Sequence, residues 1–431
     1  MLKESCFYWL VRLAAFPFEW MPYSWIQIIG RRIGTIAFFF LHKYRKRTLS
    51  NLALAQELGL SQKEQIRIAK ESMQNLVTVC LEYPRLYREK KLSSQIFCEN
   101  PEIADQLHRQ KKGIVFFCAH LSNWEILFLE GTSRMKGIAI GKPIKNMRLY
   151  HWILKIREKY GGKIIPQSQC IKAGLRALKQ GAFIGIVGDQ AMPSSGYSCS
   201  FLGRKAWTST APALLAYRTH SPLIFAETRR AAGGYRIRYS DPIWPNLERS
   251  MEQEIPRMMG EALHLLQASI KKRPGEWLWQ HNRWKQQTPR NVYKRFRYDA
   301  ICLVLPSDEQ KLRSIAVHLD TLKEIYPLDF LFLCAPDWSR NCKLIEANET
   351  FFYKSIEETR LYDYRFKLVF NFSGYESLRR HYLSLSAFEV ITLEDLYALA
   401  KPHLKKGPNC LQDHLSEIFK RALCRPGSLW N

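Results

Sequence analysis

The sequence predicts an α/β protein in which helices cover a largely parallel sheet, with further helices at the N-terminus and a small Rossmann-like α/β domain at the C-terminus. Three observations predict this class. Short apolar runs alternate with amphipathic stretches between residues 113 and 190, as strands and helices do in a largely parallel sheet. The first 48 residues are rich in apolar and aromatic side chains. A second series of strand-like runs begins at residue 298.

The elements of the central region follow one another along the chain. Ser61 and Glu64 form a capping box before a helical pattern that extends through residue 83. Strands are predicted for the short apolar runs GIVFFCA (113–119), GIAIG (137–141), KIIP (163–166) and FIGIVGDQ (183–190). Helices are predicted for NWEILFLEG (123–131), RLYHWILKIREKYGG (148–162) and IKAGLRALKQG (171–181), each of which ends at glycine.

The N-terminal segment combines apolar, aromatic and cationic residues. Arg12 and Glu19 interrupt its first apolar run, which argues against a secretion signal, and the runs at 20–30 and 33–42 are short for a membrane-spanning helix. KYRKR (43–47) follows directly, and an anionic leaflet attracts each such cation by about 1 kcal/mol. Residues 1–48 are therefore predicted to be membrane-associating helices, peripheral or N-terminally anchored. A pair of core helices with a solvated charge run is the alternative.

Charge divides the chain into two parts. The formal net charge is +26, but residues 298–431 contain 17 basic and 18 acidic residues, so residues 1–297 carry a net +27. We therefore predict one domain at 49–295 and another at 298–431. The excess charge predicts a polyanionic partner for the first part: nucleic acid, an anionic membrane or an acidic substrate. The 11 cysteines include no CxxC pair, which indicates a reducing compartment without zinc or disulfide frameworks.

His120 ends a predicted strand in FFCAHLSNWEI (116–126), and Glu125 follows five positions later. About one such pair is expected by chance in a chain of this composition, so the spacing alone carries little weight. The position is more informative, because ligands collect at the carboxyl ends of strands in open α/β sheets and Asp189 ends another predicted strand. We expect the turn to fold Glu125 back onto the imidazole, so that His120 accepts a proton from a hydroxyl. A buried histidine near a glutamate that the helix dipole favours is the alternative.

Six stretches, in order, carry a resemblance to a known family. They are HLSNWE (120–125), GKPIKN (141–146), KIREKYGGKIIP (155–166), GDQ (188–190), FLGRKAWTSTAPALLA (201–216) and PGEWLWQHNRWK (274–285). Over about residues 1–295 the chain resembles the acyl-carrier-protein-dependent late acyltransferases of lipid A biosynthesis, the lauroyl and myristoyl transferases of the lysophospholipid-acyltransferase superfamily. The resemblance implies a lysophospholipid-acyltransferase-like fold for this part, a mixed sheet covered by helices.

The resemblance also implies roles for individual residues. The implied catalytic residues are His120 as general base, Glu125 as its orienting partner, Arg157 as a group that stabilises negative charge or grips a phosphate, and Asp189 as a support of the site. The implied substrate-binding residues are Asn123, Pro143, Asn146, Gln190, Arg283 and Lys285. For the closing stretch with Trp279, His281, Arg283 and Lys285, the resemblance implies either a structural role or a substrate contact. Ser122 stands where the family usually has glycine, and serine adopts a left-handed turn less readily. No cofactor is implied, and no metal-ligand cluster stands out.

The implied reaction transfers a fatty acyl chain from acyl carrier protein to a hydroxyl of a lipid A precursor, a late secondary acylation at the cytoplasmic face of the cell inner membrane. A net charge of +27 suits an acidic carrier, a phosphorylated glycolipid acceptor and a membrane surface, and no nucleic-acid-binding motif accompanies it. An acyltransferase acting on a lysophospholipid or another glycolipid is an alternative. A catalytically silent lipid-binding protein is another.

The resemblance ends near residue 298. YDAICLVLP (298–306), LDFLFLCAP (328–336) and FKLVFNFSG (366–374) are predicted strands of the Rossmann-like domain. A docking or stabilising role is favoured over a nucleotide-sugar cleft, because no glycine-rich fingerprint is present and fold-level analogy alone does not establish an activity.

Overall fold

The protein is described by a computed structural model that covers residues 2–89, 92, 94–404 and 414–426. In chain order the α-helices are α1 (Leu2–Ala15), α2 (Tyr23–Phe40), α3 (His42–Leu54), α4 (Gln62–Arg88), α5 (Glu102–Arg109), α6 (Glu125–Arg134), α7 (Met147–Arg157), α8 (Cys170–Lys179), α9 (Ala211–Thr219), α10 (Met251–Lys272), α11 (Glu309–Ala316), α12 (Asp320–Ile325), α13 (Ser377–Ser384), α14 (Leu393–Ala400) and α15 (Leu415–Leu423). The strands are β1 (Ile96–Cys98), β2 (Ile114–Cys118), β3 (Gly137–Ile140), β4 (Lys163–Ile165), β5 (Phe183–Val187), β6 (Tyr197–Phe201), β7 (Arg204–Thr208), β8 (Leu223–Ala231), β9 (Gly234–Tyr239), β10 (Ala300–Val304), β11 (Phe330–Pro336), β12 (Glu349–Tyr353), β13 (Leu368–Asn371) and β14 (Glu389–Ile391).

The chain forms two compact units. The first contains Met1–Leu41 and Glu57–Arg283, and the second contains His42–Gln56 and Trp284–Asn431. Both are α/β structures, as the sequence predicts. The domains predicted at 1–48, 49–295 and 298–431 do not coincide with these units, because the segment 42–56 leaves the first unit and joins the second.

A seven-stranded mixed sheet forms the centre of the first unit, in the order β1-β9-β8-β2-β5-β3-β4. β8 and β9 are antiparallel, whereas the other neighbours are parallel. β2 lies between β8 and β5 and is buried at every position, which explains its unbroken apolar sequence. Because β2, β5, β3 and β4 are parallel, their carboxyl ends open on one edge of the sheet.

The strands and helices predicted between residues 113 and 190 are present, but two of the helices do not end at the predicted glycine. α7 ends at Arg157, before Gly161 and Gly162. α6 does not end at Gly131 but continues to Arg134. Gly131 lies inside the helix, where an added Cβ would lie 3.1 Å from the ring of Phe183. This glycine therefore allows close packing rather than terminating the helix. The capping box of Ser61 and Glu64 is present at the start of α4.

The N-terminal helices pack by one face and expose the other. Gly30 and Gly34 of α2 lie against α4 so closely that a Cβ on Gly30 would lie 2.8 Å from the Cα of Thr78. We call the exposed large apolar side chains of residues 7–41 the apolar face. They are Phe7, Trp9, Leu10, Leu13, Phe16, Trp20, Trp25, Ile28, Ile33, Ile36, Phe39, Phe40 and Leu41. Among the described helices, none is both long and apolar enough to span a bilayer.

The second unit contains a five-stranded parallel sheet in the order β12-β11-β10-β13-β14. Its first strand, β10, is central and the chain winds outward on both sides, which is the strand order of doubly wound Rossmann-like domains. The three predicted strands correspond to β10, β11 and β13, whereas β12 and β14 were not predicted. Residues 405–413 and 427–431 of the predicted domain at 298–431 lie outside the described residues.

Helix α3 belongs to the second unit because its polar side chains bind groups of that unit. Lys46 donates to the carbonyl of Ala387 at 2.7 Å, and Ser50 donates to the carbonyl of Arg365 at 2.8 Å. The buried ammonium of Lys367 contacts Asn51 Oδ1 at 3.1 Å and the Asp299 carboxylate at 2.7 Å. The cationic run 43–47, which the sequence assigned to a membrane-associating segment, therefore lies in a helix of the second unit.

Candidate active site

The sheet brings together the ends of β2 and β5. Cys118 at the end of β2 pairs with Val187 at the end of β5, so His120 and Asp189 leave neighbouring strands side by side. The loop after β2 is held by the stretch 276–278. Leu278 N–H donates to the His120 carbonyl at 3.1 Å, and Ser122 N–H donates to the Glu276 carbonyl at 2.8 Å. The backbone of His120 is therefore fixed on both sides before its side chain makes any contact.

Asp189 orients the imidazole of His120. Nδ1 of His120 lies 2.7 Å from Oδ1 of Asp189, and Oδ2 accepts the backbone N–H of His120 at 2.9 Å and the indole N–H of Trp277 at 2.7 Å. Burial opposes ionisation of Asp189, but the interactions with His120 and Trp277 outweigh it and lower the pKa of the carboxyl group. An ionised carboxylate only accepts, so Nδ1 carries the ring proton and Nε2 carries the lone pair.

Glu125 binds Arg157 rather than the imidazole. Nε of Arg157 donates to Oε2 of Glu125 at 2.8 Å, Nη2 donates to Oε1 at 2.5 Å, and Nη2 also contacts the Tyr83 hydroxyl at 3.2 Å. The expectation that Glu125 holds the Nδ1 of His120 is therefore wrong. Glu125 starts α6 and turns away from Nδ1, and the neighbouring strand supplies the carboxylate instead.

The Glu125–Arg157 pair is largely removed from water. Burial would raise the pKa of Glu125, but the charge and hydrogen bonds of Arg157 lower it. Burial would likewise lower the pKa of Arg157, but the charge of Glu125 raises it. The pair is therefore ionised. Within the described part of the chain, Nε and Nη2 of Arg157 donate hydrogen bonds, and none from Nη1 is found.

Ser122 and Asn123 shape the turn between the strand and α6. Ser122 has a φ of 50°, a left-handed conformation that glycine adopts more readily than serine does. Asn123 is fully buried and donates to Glu82 at 2.8 Å, so the predicted substrate contact is replaced by a structural one. Glu82 also binds Arg230 at 2.8 Å, which ties the turn to β8.

Gln190 and His281 lie beside Nε2 of His120. The side-chain nitrogen of Gln190 lies 3.4 Å from Nε2 of His120 and 3.4 Å from Nε2 of His281. The rings of His120 and His281 are 5.0 Å apart between centroids. Gln190 and His281 are exposed, and the His120 side chain is 12% exposed. The basic nitrogen of His120 therefore lies at the accessible side of the site.

The remaining predicted substrate-binding residues do not gather at this point. Asn146 caps α7 by accepting the N–H of Leu149 at 3.0 Å. Arg283 is 1% exposed and donates to the carbonyl of Trp207 and the hydroxyl of Thr208. Of the two roles that the resemblance implied for it, the structural one is the one its contacts match, and the substrate contact is not. Pro143 is exposed in the loop after β3, and Lys285 is exposed in the second unit.

Sequence reasoning missed Trp277 and Tyr83 and gave His281 no definite role. Trp277 stands two positions before Trp279 in WLWQH, but nothing local shows which indole reaches Asp189. Trp279 is fully buried and donates to the carbonyl of Pro274 at 2.7 Å. One clue was present: Asp189 and His120 were both predicted at carboxyl strand ends, which brings them together if the strands are neighbours.

Among the described residues, no group of three or more His, Cys, Asp or Glu side chains is arranged to hold a metal ion.

Comparison with known families explains this arrangement. The family model of the bacterial lipid A biosynthesis acyltransferases matches residues 1–286. The chain belongs to this family. A comparison with curated proteins found no match.

Membership establishes the broad activity. The family is one of acyltransferases, so an acyl donor and a lipid acceptor are its substrates and lipid A biosynthesis is its process. The match includes every residue of the site described above. Residues 287–431 lie outside it, so the family says nothing about the Rossmann-like sheet of the second unit.

Proposed function

We propose that the chain transfers a fatty acyl chain from an acyl carrier protein thioester to a hydroxyl of a lipid A precursor, in a late secondary acylation, with His120 as the general base. The observation that carries the proposal is the hydrogen-bonded pair of His120 and Asp189, with Nε2 of the imidazole at the accessible side. A histidine held in this tautomer accepts a proton from a hydroxyl that approaches Nε2.

The proton and bond changes follow from this tautomer. Nε2 of His120 takes the proton of the acceptor hydroxyl while that oxygen attacks the thioester carbonyl carbon. Asp189 stabilises the imidazolium that forms, since it already binds Nδ1 at 2.7 Å. The tetrahedral intermediate then collapses, the carbon–sulfur bond breaks, and the thiolate takes the proton from the imidazolium. General base catalysis of this kind contributes about 10²–10⁴-fold to a rate.

Arg157 supplies positive charge in the same mechanism. Its guanidinium is fixed by Glu125 through two hydrogen bonds and keeps Nη1 for the oxyanion of the intermediate or for a phosphate of the acceptor. Glu125 thus acts through Arg157, and we propose this role in place of the expected contact with His120. A preoriented guanidinium stabilises developing charge without reorganising during the reaction.

We propose that the first unit works at the cytoplasmic face of the inner membrane, with the apolar face against the lipid. The support is the concentration of exposed aromatic and aliphatic side chains in residues 7–41, together with the cations Arg31 and Arg32 between them. Soluble surfaces rarely expose so many neighbouring apolar groups, and interfacial helices combine such groups with cations. A lipid acceptor would then reach the site from the surface on which the enzyme lies.

The test is turnover by the purified full-length protein. Labelled acyl carrier and a tetraacylated lipid A precursor are supplied in detergent micelles, and mass spectrometry identifies the ester. We expect His120→Ala to lose at least 10²-fold in kcat, because the general base is removed. His264→Ala is the matched control, since His264 is exposed on α10 and belongs to no part of the site. A folded His120→Ala protein with normal turnover would contradict the proposal.

A further inference from the structure

We propose that the acidic carrier protein docks on a cationic edge of the first unit, defined as Lys142, Lys145, Arg148, Lys172 and Arg176. The proposal rests on the proposed function, in which this carrier is the acyl donor, and adds the surface that receives it. The carrier is the partner of stated chemistry: a small protein of strongly negative charge that presents a thioester on a flexible arm.

The cationic edge lies on the same side of the sheet as the candidate active site. Lys142 and Lys145 lie in the loop after β3, and Arg148 lies in the first turn of α7. Lys172 and Arg176 lie in α8, which follows β4. In the sheet order, β2 and β5 carry His120 and Asp189, and β3 and β4 come next. Three strand spacings separate β2 from β4, about 14 Å, so a carrier docked there would reach His120 through its arm.

Little of the positive charge of this region is compensated, since among the described ion pairs only Arg157, with Glu125, and Lys163, with Glu158, have a carboxylate partner. Residues 136–188 contain 11 basic residues and one acidic residue, Glu158. Glu158 is already engaged, accepting the N–H of Ile164 at 2.9 Å and lying 3.7 Å from Nζ of Lys163. All five side chains of the cationic edge are exposed, and within the described residues none of them takes part in an ion pair. The field outside this edge is therefore available to an anionic partner.

An acidic protein fits this edge better than a lipid surface does. Membrane-surface binding combines cations with apolar groups that enter the headgroup layer. Among the described residues from 136 to 188, Met147 is the one exposed large apolar side chain, at 50% exposure, whereas the apolar face contains many such side chains. Charge without apolar anchors is typical of electrostatically steered protein association. The two surfaces adjoin, since Asn146 donates to the carbonyl of Glu4 in α1 at 2.8 Å. A carrier protein on the cationic edge would therefore lie beside the helices that bind lipid.

The test reverses three charges and compares two donors. In the full-length protein, Lys145→Glu, Lys172→Glu and Arg176→Glu are combined. We expect the KM for the acyl carrier to rise about 10-fold or more, and the difference from wild type to shrink at high salt. Turnover of the same acyl group on pantetheine, which lacks the carrier protein, should be unchanged. The control combines Lys63→Glu, Arg109→Glu and Arg249→Glu, three exposed cations on other elements with the same total charge change.

Each outcome decides the proposal. An unchanged KM for the acyl carrier in the triple variant, or an equal rise in the control, overturns the docking surface while leaving the proposed function intact. If the wild-type protein turns over neither donor, the proposed function fails. Docking is then tested separately, by fluorescence anisotropy that measures the binding of labelled carrier protein to wild type and to both triple variants. A variant that binds the carrier normally but loses binding to vesicles of anionic phospholipid would assign the edge to lipid and overturn the proposal.

Discussion

The hydrogen-bonding atoms of Asp189 determine what an amide would do in its place. Oδ2 accepts two N–H groups, from the His120 backbone and from Trp277, so it must remain an oxygen. In Asp189→Asn the amide nitrogen therefore takes the position of Oδ1 and donates to Nδ1 of His120. The ring proton moves to Nε2, and the nitrogen that should accept the hydroxyl proton no longer can.

The first prediction compares the two carboxylates of the site. Asp189→Asn should lower kcat by about 10²–10⁴-fold with little change in KM, because the wrong tautomer removes the base and leaves the shape intact. Glu125→Gln should lower kcat less than Asp189→Asn does, since it weakens the hydrogen bonds to Arg157 and leaves the tautomer of His120 unchanged. Steady-state kinetics on both variants decides. If Asp189→Asn kept a near-normal kcat and Glu125→Gln were inactive, the carboxylate that orients His120 would be Glu125 and not Asp189.

The pH dependence of the free energy of unfolding tests the role of Asp189 independently, with the same Asp189→Asn variant. The pKa of Asp189 lies below its ordinary value of 3.8 in the folded protein, so its ionised form stabilises the fold above that value. This contribution is lost as the pH falls through the lowered pKa. Asp189→Asn lacks it at every pH, so the difference in free energy of unfolding between wild type and variant should narrow below about pH 4. Denaturant titrations at neutral and acidic pH measure it.

At the scale of elements, the contact between α2 and α4 depends on the absence of side chains. A Cβ on Gly34 would meet the backbone of Gln74, with the amide nitrogen at 2.9 Å and the Met73 carbonyl at 3.1 Å. Backbone atoms cannot rotate away as a side chain can. Any larger residue at this position must push the two helices apart.

The second prediction tests this close approach. Gly34→Ala should destabilise the protein by about 1–3 kcal/mol through overpacking, although alanine is the better helix former. Gly260→Ala is the matched control, because Gly260 lies in α10 with nothing within 4 Å of an added Cβ and should become more stable by about 0.5–1 kcal/mol. Thermal unfolding of both variants provides the comparison. Equal stabilisation in the two would show that α2 does not pack as described.

The elements also show what the sequence could predict. Apolar runs and amphipathic patterns correctly predicted that β2 to β5 and the helices between them exist, because these features depend on local periodicity. The glycine stops were less reliable, since α6 continues past Gly131 and α7 ends before Gly161. The order of the strands depends on contacts between distant residues, so no local pattern revealed that β5 is the neighbour of β2. The short spacing of five residues between His120 and Glu125 therefore suggested the nearer carboxylate, whereas the partner of the imidazole, Asp189, stands 69 positions away.

The same reasoning explains the assignment of α3. Its cationic start, KYRKR, adjoins the aromatic N-terminal helices in sequence, and composition alone groups the two. Its later residues Ser50 and Asn51 bind Arg365 and Lys367, more than 300 positions away. Contacts of such sequence separation determine which unit a helix joins, and they leave no trace in charge or hydropathy.

At the scale of the whole molecule, two surfaces of the first unit differ in chemistry. The apolar face contains most of the exposed large apolar side chains of the described chain. The cationic edge consists of exposed charged side chains, and Met147 is the one exposed large apolar residue among the described residues 136–188. Fully burying a Leu or Phe side chain contributes about 1.5–3 kcal/mol, so a few residues of the apolar face suffice for measurable attachment to lipid. Membrane attachment should therefore depend on this face more than on exposed apolar residues elsewhere.

The third prediction measures that attachment with side chains of equal exposure. Leu13→Asp and Phe40→Asp replace residues of the apolar face that are each 74% exposed, and Val317→Asp replaces a residue of the second unit that is 75% exposed. In sedimentation with vesicles of anionic phospholipid, each of the first two should weaken binding about tenfold, since an inserted apolar group is exchanged for a charge that stays in water. Val317→Asp should bind as wild type does. Equal loss in all three variants would mean that overall charge, rather than the apolar face, determines binding.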